Sequence, residues 1–366
     1  MTWNIYPARA LLERYAGVWD RLQRDDYDSH PLFDMRFIGP ALSCFGADDD
    51  RVRLAVETES GRPKAMALVE HRGLGRWQLF LPSQIPLGPL MLRTDATAEE
   101  CGVYLDGLLA ALPGYAWTIS LLKQDPAYCI PLNVSGGAQG EWLCYGTTVS
   151  IAVKGTFSEY WESRSKNLRA KMRRLLGRLD QEGGSFVEIR ERSDMASAIE
   201  EHGRLESAGW KGQRGTAIEK DNVQGVFYRE VLERFAARGE GRVFQLRLNG
   251  RVIASQLAVQ QKGVLVLLKT AHDESYAPYS PGRTLDYLML RHLFDERELR
   301  AIEFYTKAST EDMRWSTSQR DIYHFNYFRS PLLRSAAKAA RRVRHAAPGW
   351  AMCIAVNDNL TPFGIS

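Results

Sequence analysis

The run RVFQLRLNGRVIASQLAVQQKGVLVLLKT, residues 242–270, constrains what this chain can fold into more than any other stretch. Asn249-Gly250 joins two runs of alternating apolar and polar residues. This is the strongest short-range hairpin signal, because the tight turn that matches strand twist needs positive φ at both central positions. Lys262-Gly263 then leads into a third, strongly apolar strand. The chain passes on through DESYAPYS into a helix. Ser280 suits its N-cap, Pro281 its first position, and Gly282 follows. Leu285, Leu288, Met289 and Leu293 recur at helical spacing and predict a buried face. A strand feeding such a helix presents unpaired N–H groups at the positive end of the helix dipole, where a pyrophosphate can dock and Gly lets it come close. An ordinary strand-to-helix connection uses the same residues.

The 366 residues, 45% hydrophobic and 25% charged, suit a soluble globular protein of about two domains. The opening MTWNIYPARALLERY has no apolar signal core, and no apolar run reaches the ~18 residues of a membrane span. Five dispersed cysteines without a CxxC pair read as reduced packing residues in a cytoplasmic protein. The seven His are equally scattered, so no metal is expected. Residues 1–150 hold 13 Lys+Arg and 18 Asp+Glu, a net of −5, which leaves +9 on the remainder. An anionic partner belongs with the second half.

Along the first half, residues 7–24 predict a helix through Leu11, Leu12, Tyr15, Val18, Trp19 and Leu22, and a second short helix ends at Gly46. RLAVETE, AMALVEH and RWQLFLP predict an antiparallel meander, PSQIPLGPLML an apolar loop, and 97–112 another helix. WTISLLK and TTVSIAV are later strands.

In the second half, seven basic residues and no acidic one fall between Arg164 and Arg178. Leu168, Met172, Leu175, Leu176 and Leu179 give that helix one apolar stripe, leaving a basic face that is either simply solvated or turned to phosphate. SFVEIRE predicts a strand, and 194–208 and 223–238 helices. The segment ESAGWKGQRGTAI between them sets three glycines around Trp210 and Lys211, a loop able to order around a phosphate or carboxylate. AIEFYTKA predicts a strand with Glu303, Tyr305 and Lys307 on one face, and YHFNYFR a last strand. The basic tail after Ser330 is helix-prone and suits either a solvated helix or a weak membrane-surface contact.

A weak internal repeat sets LAVETESGRPKAMALVEH beside FQLRLNGRVIASQLAVQ, with Gly61-Arg62 against Gly250-Arg251, Ala65 against Ala254 and Leu68 against Leu257. Two copies of one α/β unit account for the length. Only the second copy runs into a Ser-Pro-Gly helix start.

On these residues the chain resembles the GNAT acyltransferases, in particular the CelD-like branch related to the FemAB aminoacyltransferases. The resemblance rests on the order of SKNLRAKMRR, ESAGWKGQRGTAI, GRVIASQLAV, DESYAPYSPGRTL and IEFYTKASTEDMRW. It implies an α/β (α+β) fold of two tandem GNAT-like domains, each a mostly antiparallel mixed sheet flanked by helices. Residues 1–150 would be a non-catalytic domain, 151–330 the acyltransferase domain, and 331–366 a basic tail. It further implies acetyl-CoA or another acyl-CoA as donor, bound where two neighbouring strands splay beside the Pro-Gly helix, through Tyr279, Ser280, Pro281, Gly282, Arg283 and Thr284. Only Gly282 keeps a glycine of the usual phosphate loop, so an aminoacyl-tRNA donor stays open as the alternative. So does a non-catalytic module that binds an anionic polymer or a membrane surface. Direct transfer of an acyl group to an amine or hydroxyl needs a base and a donor to the departing thiolate. Glu303 or Asp273 is the candidate base and Tyr305 the acid, with Trp210, Lys211 and Lys307 holding a small-molecule or glycan acceptor.

Overall fold

The computed structural model describes residues 2–26, 29–92, 97–128, 137–208, 218–219 and 222–346. Its first half opens with β1 (Thr2–Pro7), and a helical turn at Leu11–Tyr15 runs on into α1 (Ala16–Asp26). In α2 (Met35–Phe45) the Asp34 side chain accepts the Arg36 amide and closes the N-terminus. The predicted meander forms as β2 (Val52–Glu59), β3 (Arg62–His71) and β4 (Arg76–Leu79), all antiparallel. A two-residue β5 (Leu90–Met91), α3 (Ala98–Ala111), β6 (Thr118–Gln124) and β7 (Gly140–Ala152) follow.

The second half starts with α4 (Phe157–Glu162) and the basic α5 (Lys166–Gln181), whose stripe Leu168, Met172, Leu175 and Leu179 is buried. Next come β8 (Gly184–Ile189), α6 (Met195–Ala208) and α7 (Val223–Ala236). The Asn249-Gly250 turn joins β9 (Gly241–Leu248) to β10 (Arg251–Gln261), and β11 (Val264–His272) completes the three-stranded run. Both turn residues have positive φ, 50° and 79°, as the tight hairpin demands. Then come α8 (Pro281–Glu296), β12 (Ala301–Glu303), α9 (Thr310–Trp315), β13 (Ser318–Phe328) and α10 (Pro331–Ala346).

Three elements differ from the sequence-based expectation. β1 precedes the first helix, because TWNIYP finds a partner only in the distant β2. β12 stops at Glu303, well short of AIEFYTKA, because the backbone turns left-handed at Tyr305 (φ 48°). β13 begins at Ser318, because Ser318–Ile322, which carry no apolar alternation of their own, pair with β7.

The thirteen strands among the described residues lie in one sheet of order β1-β2-β3-β4-β6-β13-β7-β12-β11-β10-β9-β8, with β5 paired to β3. The order reads the same from both ends once each half is counted separately. β4 and β6 run parallel, as do β11 and β12, and the other pairs are antiparallel. At the centre the halves exchange strands: β13 lies between β6 and β7, and β7 lies between β13 and β12. The repeat extends to detail. One residue is skipped between the pairs of Pro63 and Ala65 in β3, and one between those of Val252 and Ala254 in β10. A single apolar core on one face joins both halves, with Trp19, Phe33, Phe37 and Leu54 packed in the same cluster as Phe227, Leu232, Val243 and Val266. On the other face α3 covers the first half and α5 and α8 the second. Each such side chain contributes about 1.5–3 kcal/mol by leaving water. Among the described residues no helix is long and apolar enough to cross a membrane.

Candidate functional site

β11 and β12 are paired over three residues only: Val264 with Ala301, Leu265 with Ile302, and Val266 with Glu303. β11 then continues to His272 without β12, still paired with β10, and a bulge just past the last β12 pair leaves Leu268 without a partner on β10. Glu303 therefore sits where the two strands part. Two residues on, Tyr305 stands in the left-handed region, a conformation that costs a non-glycine residue on the order of 1 kcal/mol and is held only where surrounding contacts fix it.

Those contacts come from four segments. Arg320 on β13 donates from Nη2 to Glu303 Oε2 at 2.8 Å and to Asp125 Oδ2 at 2.6 Å, while its Nε grips both Asp125 oxygens at 2.9 Å. The same Nη2 lies 3.3 Å from the Tyr305 hydroxyl, and His30 Nε2 lies 3.1 Å from it on another side. Asp125 follows β6, and His30 caps the short turn Pro31–Phe33. Glu303, Asp125 and His30 are 2%, 0% and 1% exposed, so the two carboxyls meet Arg320 out of contact with water. Burial pushes the Glu303 carboxyl up to about 7, against the pull of Arg320 and with a smaller push from Asp125. Burial, with Arg320 and Arg300 nearby, drives His30 down to about 3, so its ring is neutral. Its Nδ1 accepts the Leu32 amide at 3.3 Å, which assigns the proton to Nε2. Tyr305 Oη thus accepts from both His30 and Arg320, and its own proton is left to point elsewhere. Burial lifts the Tyr305 phenol well above its ordinary value, so it stays protonated.

At the far end of β11 the start of α8 has the left-handed Ser280 at its cap position (φ 44°), with no side chain bonded to the first turn. The expected N-cap bond from Ser280 is therefore not made; Thr284 Oγ1 turns back instead to the Tyr279 carbonyl at 2.7 Å. Pro281, which has no N–H, opens the first turn, and helix geometry leaves the Gly282 and Arg283 amides unpaired. A Cβ on Gly282 would meet only the His272 ring, at 3.5 Å, so the turn is open. Two residues expected to face a donor phosphate are instead committed to the protein. Arg283 is 3.0 Å from Asp286 and 3.2 Å from Asp312, and the Tyr279 hydroxyl bonds Glu182 while Arg178 covers its ring at 4.4 Å.

Asp273 is removed from the Glu303 cluster. It stands seven residues beyond Val266, about 23 Å of extended strand. It caps the turn that follows by accepting the Ser275 amide at 3.0 Å, and it pairs with Arg251 at 3.1 Å. Although burial pushes the other way, these bonds hold its carboxyl below the usual range, as befits a structural cap. Lys307 lies over the Tyr145 ring, 4.8 Å from its centre. Trp210 and Lys211 lie outside the described residues.

Sequence patterns did not single out His30, Asp125 or Arg320. Arg320 is 195 positions from Asp125 and 17 from Glu303, and no local spacing marks such partners. The one available signal was Asp125-Pro126, a carboxylate just past an apolar strand. Elsewhere among the described residues, Glu188, His292 and Glu296 gather within 4.8 Å, but Arg242 and Arg190 pair with these carboxylates. An open cavity of about 700 Å³ at the start of β4, lined by Arg51, Trp77, Tyr115 and Trp117, contains none of the cluster above.

Residues 163–316 match the family described as acetyltransferase (GNAT) domain. No curated protein matches the chain. Among solved structures, FemX is similar at TM-score 0.57 and 12% identity, over 86% of this chain and 96% of that one. The C-terminal DUF2156 domain of a protein provisionally described as a lysylphosphatidylglycerol synthetase, from Agrobacterium fabrum, is similar at TM-score 0.55 and 14% identity, over 90% and 94%. At these identities the likeness is one of fold. The fold is mixed α/β, an open mixed sheet flanked by helices, and its GNAT match lies in the second half.

Proposed function

We propose that this protein is an acyltransferase that moves an acetyl or other acyl group from acyl-CoA to an amine or hydroxyl of a small molecule or polysaccharide precursor, within the CelD-like, FemAB-related branch of the GNAT proteins. One observation carries the proposal. Glu303, lifted to about 7, and Tyr305, its proton undirected by neighbours, stand together where β11 and β12 part. A base near neutrality is ionised often enough to accept a proton and basic enough to take it.

In this scheme the acceptor's nitrogen or oxygen attacks the thioester carbon, and Glu303 takes the proton it loses. The carbon–sulfur bond breaks, and Tyr305 supplies the hydrogen bond or proton to the departing thiolate. Amide or ester and free CoA result. The Leu268 amide, freed from β10 by the bulge, is positioned to polarise the carbonyl. The uncapped α8 start, some seven strand residues away, receives the pyrophosphate on the amides of Gly282 and Arg283. Arg320 tunes Glu303 and orients Tyr305 without touching the reacting atoms. The first half supplies His30 and Asp125 but no second reaction centre.

Thermal unfolding with and without acetyl-CoA and longer acyl-CoAs tests donor binding, since a ligand at 100 times its Kd stabilises by about 2.7 kcal/mol. Thiol release against a panel of amines and sugars tests turnover. No stabilisation by any acyl-CoA overturns the proposal, and stabilisation by aminoacyl-tRNA in its place would move the donor to that class.

A further inference from the structure

We propose that Lys123 and Lys307, gathered around Tyr145, form a binding site for a carboxylate or phosphate group, so that the acceptor this enzyme takes is an anionic one. The inference rests on the acyl-transfer reading for the word acceptor; the anion site itself stands on separate geometry. Lys123 is 9% exposed, and its ammonium lies 5.3 Å from the centre of the Tyr145 ring. Lys307 brings a second ammonium to 4.8 Å from the same ring. Among the described residues no carboxylate lies within 4 Å of either nitrogen. A buried ammonium beside another cation is costly unless an anion offsets it.

The remaining groups are donors too. His324 Nδ1 accepts the Lys123 amide at 2.9 Å, which leaves Nε2 as the protonated ring nitrogen. Burial and the two lysines keep that ring neutral, pulling it down to about 4, and burial with Lys307 draws Lys123 down to about 8. Two ammonium groups, an imidazole N–H and the Tyr145 hydroxyl together make a surface rich in donors and empty of negative charge.

The backbone holds Lys123 in this position against its preference. Lys123 is left-handed (φ 46°) at the bulge where β6 and β13 lose register, and its carbonyl accepts the Gly88 amide at 3.2 Å. Gly146 makes room for Lys307, whose stem lies 3.3 Å from where a Cβ would be. The site also keeps step with the Glu303 cluster. Lys123 is two residues before Asp125, Lys307 two after Tyr305, and His324 four after Arg320. Two residues of chain span at most about 7 Å, so one small molecule reaches both.

The test measures amine-selective labelling of each lysine by mass spectrometry, in inorganic phosphate, in acetate, and in chloride at equal ionic strength. Phosphate or acetate is expected to slow labelling of Lys123 and Lys307 at least threefold relative to chloride, with exposed Lys262 unchanged, and the effective anion identifies the class. Lys307→Gln, with an unchanged melting temperature, is expected to remove the protection at Lys123. Equal labelling in all three salts overturns the anion site. For the acceptor, CoA release is compared between glucosamine 6-phosphate and glucosamine, and between glycine and glycinamide. A preference of at least tenfold for the charged member of either pair supports an anionic acceptor; equal use, or preference for the neutral member, overturns it. The two proposals fail separately. Acyl-CoA stabilisation without anion protection removes only this site, and anion protection without acyl-CoA stabilisation removes only the reaction.

Discussion

α3 in the first half and α8 in the second occupy the same place in the strand order, yet their first turns present opposite chemistry. α3 closes its own end: Thr97 accepts the Glu100 amide at 3.2 Å, the Glu100 carboxylate accepts the Thr97 amide at 2.7 Å, and Glu99 and Glu100 put negative charge in the first turn. α8 starts from a left-handed Ser280 with no side-chain cap and no acidic residue in its first turn. A helix end already occupied by carboxylates repels a phosphate, and one left open attracts it. The parallel strand pairs differ likewise. The third pair is Val266 with Glu303 in the second half and Gln78 with Ser120 in the first, where Ser120 merely bonds Asn326 at 2.7 Å. One architecture is thus used twice, and the difference lies in a few side chains rather than in the sheet. This is the basis for proposing that the first half works as a support that lends residues to a site centred on the second.

The largest effect should come from loading the open helix end with charge. Gly282→Glu is expected to weaken acyl-CoA binding at least a hundredfold, about 2.8 kcal/mol, with an unchanged melting temperature, because the side chain has space to enter. Calorimetric titration reads it, and retained affinity would erase the contrast between the two helices. Glu303→Gln, which gives it a neutral side chain as Ser120 does in the first half, should cut kcat by about 10²–10⁴ with acyl-CoA affinity intact.

The pH profile sharpens the same point. In the proposed scheme Glu303 acts only when ionised, so activity should rise with pH through about 7, and Glu303→Gln should lack that limb. A rise that persists in the variant would assign the base elsewhere. Tyr305→Phe is expected to lower kcat by a smaller factor, on the order of 10², with the limb near 7 retained. The smallest change belongs to the closed helix: Thr97→Ala should cost about 1 kcal/mol in denaturant unfolding and leave acyl-CoA affinity untouched. A change in that affinity would mean that α3 also serves the donor.

The legible parts of the fold share one property, that their pattern is local. The Asn249-Gly250 hairpin, the β2–β4 meander, the stripe of α5 and the Ser280-Pro281-Gly282 helix start each declare themselves within a few neighbours. Glu303 and Tyr305 were legible as same-face residues near an apolar strand, although the strand ends between them. Asp273 was equally plausible in sequence, and only its Ser275 and Arg251 partners make it a cap. Arg283 and Tyr279 sat at the right positions for a phosphate loop, but Asp312 and Glu182, from separate segments, hold their side chains.

The sequence by itself determined most element types, the repeat and the place of the Ser-Pro-Gly helix start, because hydrophobic period and turn chemistry act over one or two turns of chain. Tertiary structure alone decided that β7 and β13 cross between the halves, so that Asp125 and His30 reach Glu303 and Tyr305, and that Lys123 lies buried beside Lys307. Those outcomes depend on burial and on pairings between residues far apart in sequence. The energy of a buried charge is set by the partners it meets, and no local pattern records them.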